Sequence, residues 1–228
     1  MLDGRLLACA ELCNPGRAAD IGTDHGYLPI YLIESGICES CIACDINEKP
    51  LLSARENIRA AGLEGRIETI LSDGLDSVEP EGITNVIIAG MGGELIRDII
   101  SRAEWLRNSR TALILQPMTK WDVLRRYLYE SGFEVTKELP CRAGRFVYSV
   151  LRAEYTGRQP EHECDLCYLY GGMVSPETED GRAYLLRQAE RLGAVAGGIG
   201  RDASRAAEAE KYADACAKLR QRCEIKER

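Results

Sequence analysis

Short apolar runs alternate with longer amphipathic stretches over the first 155 residues, the rhythm of strand–helix–strand units in a mostly parallel sheet. The pattern predicts a helix over 2–13, stopped by Asn14-Pro15-Gly16, and a first strand over 18–22. A helix over 28–34 follows, with Pro29 in its first turn and Gly36 past its end. Strands over 40–44, 67–71, 85–89 and 111–115 come next, with helices over 50–62, 94–103 and 121–130 between or after them. Two β-rich runs, 133–139 and 146–153, read as an antiparallel hairpin separated by 140–144.

Beyond 156–160 the pattern changes to two helices, 178–196 and 202–223, split at Gly197-Gly198-Ile199-Gly200. Leu185, Ala189, Leu192 and Ala196 recur at helical spacing on the first, and Tyr212, Cys216, Leu219 and Cys223 on the second. The expectation is an α/β domain over 1–157 and a helical hairpin over 162–228 that packs on itself or on the sheet.

Charge changes the picture at the first strand's end. The stretch Asp20-Ile21-Gly22-Thr23-Asp24-His25-Gly26-Tyr27 is a glycine turn between strand and helix, the place where α/β sheets seat a nucleotide-type cofactor. No Lys or Arg lies between Arg17 and Lys49, while Asp20, Asp24, Glu34, Glu39, Asp45 and Glu48 do. A pyrophosphate would be repelled there, whereas a ligand carrying an ammonium and a sulfonium would be favoured. The turn also lacks the G-x-G-x-x-G of dinucleotide sites. S-adenosyl-L-methionine is therefore the expected cofactor.

Three acids fall near the ends of three successive strands: Asp20, Asp45 and Asp73. In an open α/β sheet all three reach one crevice, where Asp45 is placed for ribose hydroxyls and Asp73 for the adenine amino group. The candidate cofactor contacts are Asp20, Gly22, Asp24, His25, Gly26, Asp45, Ile46, Asn47, Asp73, Gly74, Ala89 and Gly90. The fold class expected is α/β, a Rossmann-like class I methyltransferase sheet with a C-terminal α-helical hairpin.

The ten cysteines include Cys38, Cys41 and Cys44 at intervals of three and a second C-x-x-C at Cys164 and Cys167. One reading is a four-thiolate zinc site. Against it, an odd offset along a strand sends Cys41 and Cys44 to opposite faces, which favours reduced, packed thiols and no metal. The net charge of −7 conceals an acidic body and a slightly basic end: residues 178–228 hold 11 basic and 9 acidic side chains. This disfavours indiscriminate DNA binding and leaves local RNA contact open. No apolar run of membrane-spanning length and no export signal are visible, so the expected location is cytoplasmic.

Together, Asp20 through Pro29, Asp45-Ile46-Asn47, Ala89-Gly90-Met91-Gly92-Gly93 and Leu113-Ile114-Leu115-Gln116-Pro117 resemble the bacterial tRNA (adenine(22)-N1)-methyltransferase family, TrmK. The resemblance covers the sheet domain nearly end to end. It implies an S-adenosylmethionine-dependent enzyme that methylates adenine N1 in the D-arm of tRNA, and a coiled-coil-like character for the C-terminal helical extension. A ring nitrogen needs its base extruded from pairing but no strong base to activate it. Asp24 is the catalytic candidate, accepting a hydrogen bond from the exocyclic amine to stabilise the cationic product. Met91, Gly92, Gln116, Trp121, Arg125 and Arg145 are the substrate candidates, with Lys120, Arg126, Lys137 and Arg142 as further possible phosphate contacts. The partner expected is tRNA, with the enzyme a monomer or weak homodimer. The alternatives are a methyltransferase acting on a small molecule and a non-catalytic RNA-binding protein.

Overall fold

A computed structural model describes residues 2–224. The strands are β1 (Gly16–Ile21), β2 (Cys38–Asp45), β3 (Ile67–Leu71), β4 (Ile83–Gly92), β5 (Ala112–Thr119), β6 (Phe133–Ala143) and β7 (Phe146–Tyr155). They form one sheet in the order β3-β2-β1-β4-β5-β7-β6. The first five run parallel, and β7 enters antiparallel between β5 and β6. The helices are α1 (Gly4–Glu11), α2 (Tyr27–Glu34), α3 (Glu48–Ala60), α4 (Gly93–Arg102), α5 (Trp121–Glu130), α6 (Leu166–Gly171), α7 (Glu179–Ile199) and α8 (Ala206–Cys223).

The central strands are apolar on successive residues because both faces of the sheet are covered. Ala19, Ile21, Val86, Ile88, Leu113 and Leu115 point into one core with α4 and α5. Their neighbours Ala18, Ile87, Ala112 and Ile114 point into the other with α1, α2 and α3. The cysteines obey the same alternation: Cys44 belongs to the first core and Cys41 to the second. Burial pushes the Cys44 and Cys141 thiols up to about 12, which keeps them protonated and unreactive at neutral pH.

A third core joins α6, α7 and α8 through Val174, Tyr184, Leu185, Leu192 and Leu219. It is locked to the sheet by one buried polar cluster. Arg125 on α5 is ion-paired with Glu138 on β6, and both side chains are fully buried. The same guanidinium donates to the Leu169 carbonyl at 2.9 Å and the Tyr184 hydroxyl at 3.2 Å. Glu138 accepts from the Met173 N–H at 2.9 Å.

Several boundaries differ from the pattern-based expectation. β4 runs on through Gly92 and β5 through Thr119, because the two strands continue to pair beyond the glycine turn. β6 includes Pro140–Ala143, so the hairpin turn is only Gly144-Arg145. α7 passes through Gly197 and Gly198 to Ile199. Two glycines cost a helix roughly 1 kcal/mol each, and side chains added there would meet only open space. The short α6 is an addition that periodicity could not have found. The last four residues of the predicted extension lie outside the described residues. Among the described residues, no helix is long and apolar enough to cross a membrane.

Candidate active site

The carboxyl ends of β1 and β4 and the start of α1 enclose a cavity of about 430 Å³. Asp20, Gly22, Asp24, Ala89 and Gly90 line it, as expected for the cofactor turn, together with Asp3, Arg5, Leu6, Tyr27 and Leu28. Gly22 has φ of +77°, and a Cβ there would come 2.2 Å from the Met91 methyl, so this turn requires glycine. The Gly22 and Thr23 N–H groups both donate to the Cys44 carbonyl at 2.8 Å, fixing the turn to the end of β2.

Asp20 is buried at the cavity and has no cationic partner among the described residues. Burial pushes its carboxyl up to about 6, with the Thr23 hydroxyl pulling the other way and Asp45 adding repulsion. A buried acid with no cation of its own fits a ligand that brings one. The donor set also fits in its chemistry, since the cavity carries three carboxylates, Asp3, Asp20 and Asp24, against one guanidinium.

That guanidinium is Arg5, which sequence reasoning missed. Charge counted along the chain left the turn free of cations, but α1 returns Arg5 to the cavity wall. Asp3 caps α1, accepting from the Arg5 and Leu6 N–H groups, and pairs with the Arg5 side chain at 2.7 Å. Burial alone would raise the Asp3 carboxyl, but Arg5 and the helix amides hold it below its ordinary value. The capping pattern was visible in the sequence; its distance from the cofactor motif hid its place in the fold.

The remaining cofactor candidates line the sheet edge beside this cavity. Asp45 ends β2 and accepts from the Asn47 N–H at 2.7 Å, with Ile46 and Asn47 exposed beside it. Asp73 is exposed and bound by Arg102 at 3.0 Å. Gly26 and Gly74 are buried packing positions, where a Cβ would meet Ala54 at 3.2 Å and Ile99 at 2.9 Å. Asp24 is exposed, with its carboxylate 3.2 Å from His25 Nε2. His25 stacks on Tyr27 and sits at φ of +61°, a conformation that side chains avoid.

Two substrate candidates are corrected. Arg125 cannot reach an RNA phosphate, because it is wholly buried in the cluster with Glu138. Gln116 cannot read a base edge for the same reason. Its side chain accepts from the Gly90 N–H at 3.1 Å and from Arg5 at 3.4 Å, so it holds the glycine bulge of β4 in place. Met91 packs against the first core and over Gly22, while Gly92 lies against Thr119. Of the further phosphate candidates, Lys137 pairs with Glu11 and Arg142 with Glu179 and Asp180. Trp121 and Arg145 lie elsewhere, at a second cavity and at the hairpin turn.

A seven-stranded sheet with this strand order and a reversed β7, carrying an acidic glycine turn after β1, defines a class I methyltransferase. A family model described as a methyltransferase domain matches residues 2–151. The tRNA (adenine(22)-N(1))-methyltransferase of Bacillus subtilis is 32% identical over 163 residues, covering 71% of this chain and 68% of that protein. M. capricolum TrmK, solved with S-adenosyl-homocysteine, superposes with a TM-score of 0.80 at 26% identity, covering 98% of this chain and 99% of its own. A Streptococcus pneumoniae protein solved with S-adenosyl-L-methionine gives 0.79 at 28% identity, covering 98% and 100%. The chain belongs to the tRNA (adenine(22)-N1)-methyltransferase family, TrmK.

Proposed function

We infer that the protein transfers a methyl group from S-adenosyl-L-methionine to N1 of adenosine 22 in the D-arm of tRNA. The observation that carries this reading is the buried Asp20 at the Gly22 turn, which has no cationic partner among the described residues, in a chain of this family. When bound, the cofactor supplies an electrophilic methyl on a sulfonium centre.

The chain's own residues divide the rest of the work. Asp20 meets the positive methionine end, where burial strengthens any charge pairing. Asp45 accepts from ribose hydroxyls through the oxygen not engaged by Asn47, and Asp73 and Ile46 border the adenine. The Gly90 bulge, held open by Gln116, leaves room for the target base. Asp24 accepts from the exocyclic amine and so stabilises positive charge as it develops on the ring. The same reading takes the enzyme to be a monomer or weak homodimer. The substrate places the activity in the cytoplasm.

The test is transfer of labelled methyl from S-adenosylmethionine to unmodified tRNA, followed by nucleoside mass spectrometry. A 1-methyladenosine product that vanishes when adenosine 22 is replaced is the expected result. Cofactor binding without transfer to any tRNA would move the substrate to small molecules.

A further inference from the structure

A second cavity, of about 260 Å³, opens where the end of β5 and the start of β7 face α7. Sites that enclose a whole drug-sized molecule run to about 300–1,000 Å³, so this one suits part of a longer ligand. Its walls are aromatic: Trp121, Phe146, Tyr148 and Tyr184. Its two cations are stacked on those rings: Arg191 lies 4.2 Å over Trp121 and Arg187 5.2 Å over Phe146. Arg145, outside the lining, lies 4.9 Å over the same Phe146 ring.

Three features separate this cleft from an ordinary seam between packed helices. Arg145, Arg187 and Arg191 have no carboxylate partner among the described residues, whereas Arg142 on the neighbouring strand is held by Glu179 and Asp180. The Trp121 indole N–H is buried without a protein acceptor. Lys120, exposed at the same end, is one of only two non-glycine residues with positive φ among the described residues; the other is His25, beside the cofactor turn.

The cleft also adjoins the cofactor cavity through shared side chains. Arg5 lines that cavity, lies 3.3 Å from the Met118 sulfur and stacks 5.6 Å from the Tyr148 ring. Met118 and Tyr148 line the aromatic cleft. Aromatic faces beside unpaired guanidiniums are what an unstacked base and its phosphates require.

Resting on the reading of this chain as a tRNA methyltransferase, we propose that this cleft binds one unstacked nucleotide of the substrate RNA next to the target adenine. The base lies against Trp121 and Tyr148, and its phosphates lie on Arg187 and Arg191.

Trp105 and Trp121 are the only tryptophans, so Trp105→Phe makes Trp121 a sole reporter. Titrating this variant with unmodified tRNA should change its emission saturably, with a midpoint near the KM for tRNA. The double variant Arg187→Gln/Arg191→Gln should raise that KM about tenfold and reduce the salt slope of binding by about two, leaving S-adenosylmethionine affinity unchanged. Arg107→Ala, exposed before the amino end of β5 and so at the opposite end of that strand from the cleft, should change none of these. An enzyme that methylates tRNA with flat Trp121 emission, or with the double variant's KM and salt slope unchanged, overturns the proposal. If the double variant does not fold, the emission titration alone decides. An enzyme that binds S-adenosylmethionine and methylates no tRNA overturns the functional reading instead.

Discussion

Arg125 and Glu138, thirteen residues apart on α5 and β6, form an ion pair sealed completely from solvent. The Ser149 and Tyr184 hydroxyls approach the same guanidinium, and the carbonyls of α6 accept from it. The pair therefore fastens the helical extension to the sheet. Removing one partner would strand a buried charge, at a cost of roughly 3–5 kcal/mol. Arg125→Met and Glu138→Leu should each lower the denaturation midpoint sharply. The double variant should lose less than the sum of the two, and strict additivity in a double-mutant cycle would contradict the pairing.

The raised Asp20 carboxyl has a defined pH signature. Its pKa of about 6 lies above the ordinary 3.8, so the protonated form is favoured by folding. The associated stability is full below about pH 4 and is lost as pH rises through 6. Asp20→Asn should thus stabilise the cofactor-free protein at pH 8, by on the order of 2–3 kcal/mol, with no gain at pH 4. The same variant should lose S-adenosylmethionine binding. In the unaltered protein, calorimetry should show cofactor affinity weakening as pH falls below 6.

Gln116 supports the active site from behind it. Gln116→Leu keeps the volume and removes the acceptor for Gly90 and Arg5, costing about 1–2 kcal/mol of stability. Turnover should fall by about tenfold, with the KM for tRNA nearly unchanged. A selective rise in KM would instead indicate direct contact with RNA.

The two acids Asp45, half-buried at the end of β2, and Asp24, exposed at the cofactor turn, should separate in a binding-against-turnover comparison. Asp45→Ala is expected to abolish S-adenosylmethionine binding, because ribose loses its acceptor. Asp24→Ala should keep binding within a few-fold and lose about two orders of magnitude in kcat. Loss of binding in both would show that Asp24 belongs to the cofactor.

Much of the sheet was legible because buried parallel strands announce themselves as apolar runs broken by glycine turns. The motif from Asp20 to Gly26 likewise carried its own chemistry in charge and spacing. Strand ends were harder to place. Gly90 and Pro117 look like stops, yet β4 and β5 continue through them because each strand has the other to pair with. The helix break at Gly197-Gly198 failed for a related reason, since packing between α7 and α8 outweighs a local propensity cost of about 2 kcal/mol.

By itself the sequence determined the strand order's raw material, the acidic glycine turn and the cofactor it suits, all of which depend on residues close together in the chain. The tertiary structure alone decided which charges are available. Arg5 and Asp20 are 15 positions apart in the chain and share one cavity. Arg125 and Arg191 are alike on paper, yet one is ion-paired in the interior and the other lies half-buried over an indole ring with no carboxylate partner among the described residues. A side chain's charge is local information, but its desolvation and its partners come from segments that meet only when the chain folds.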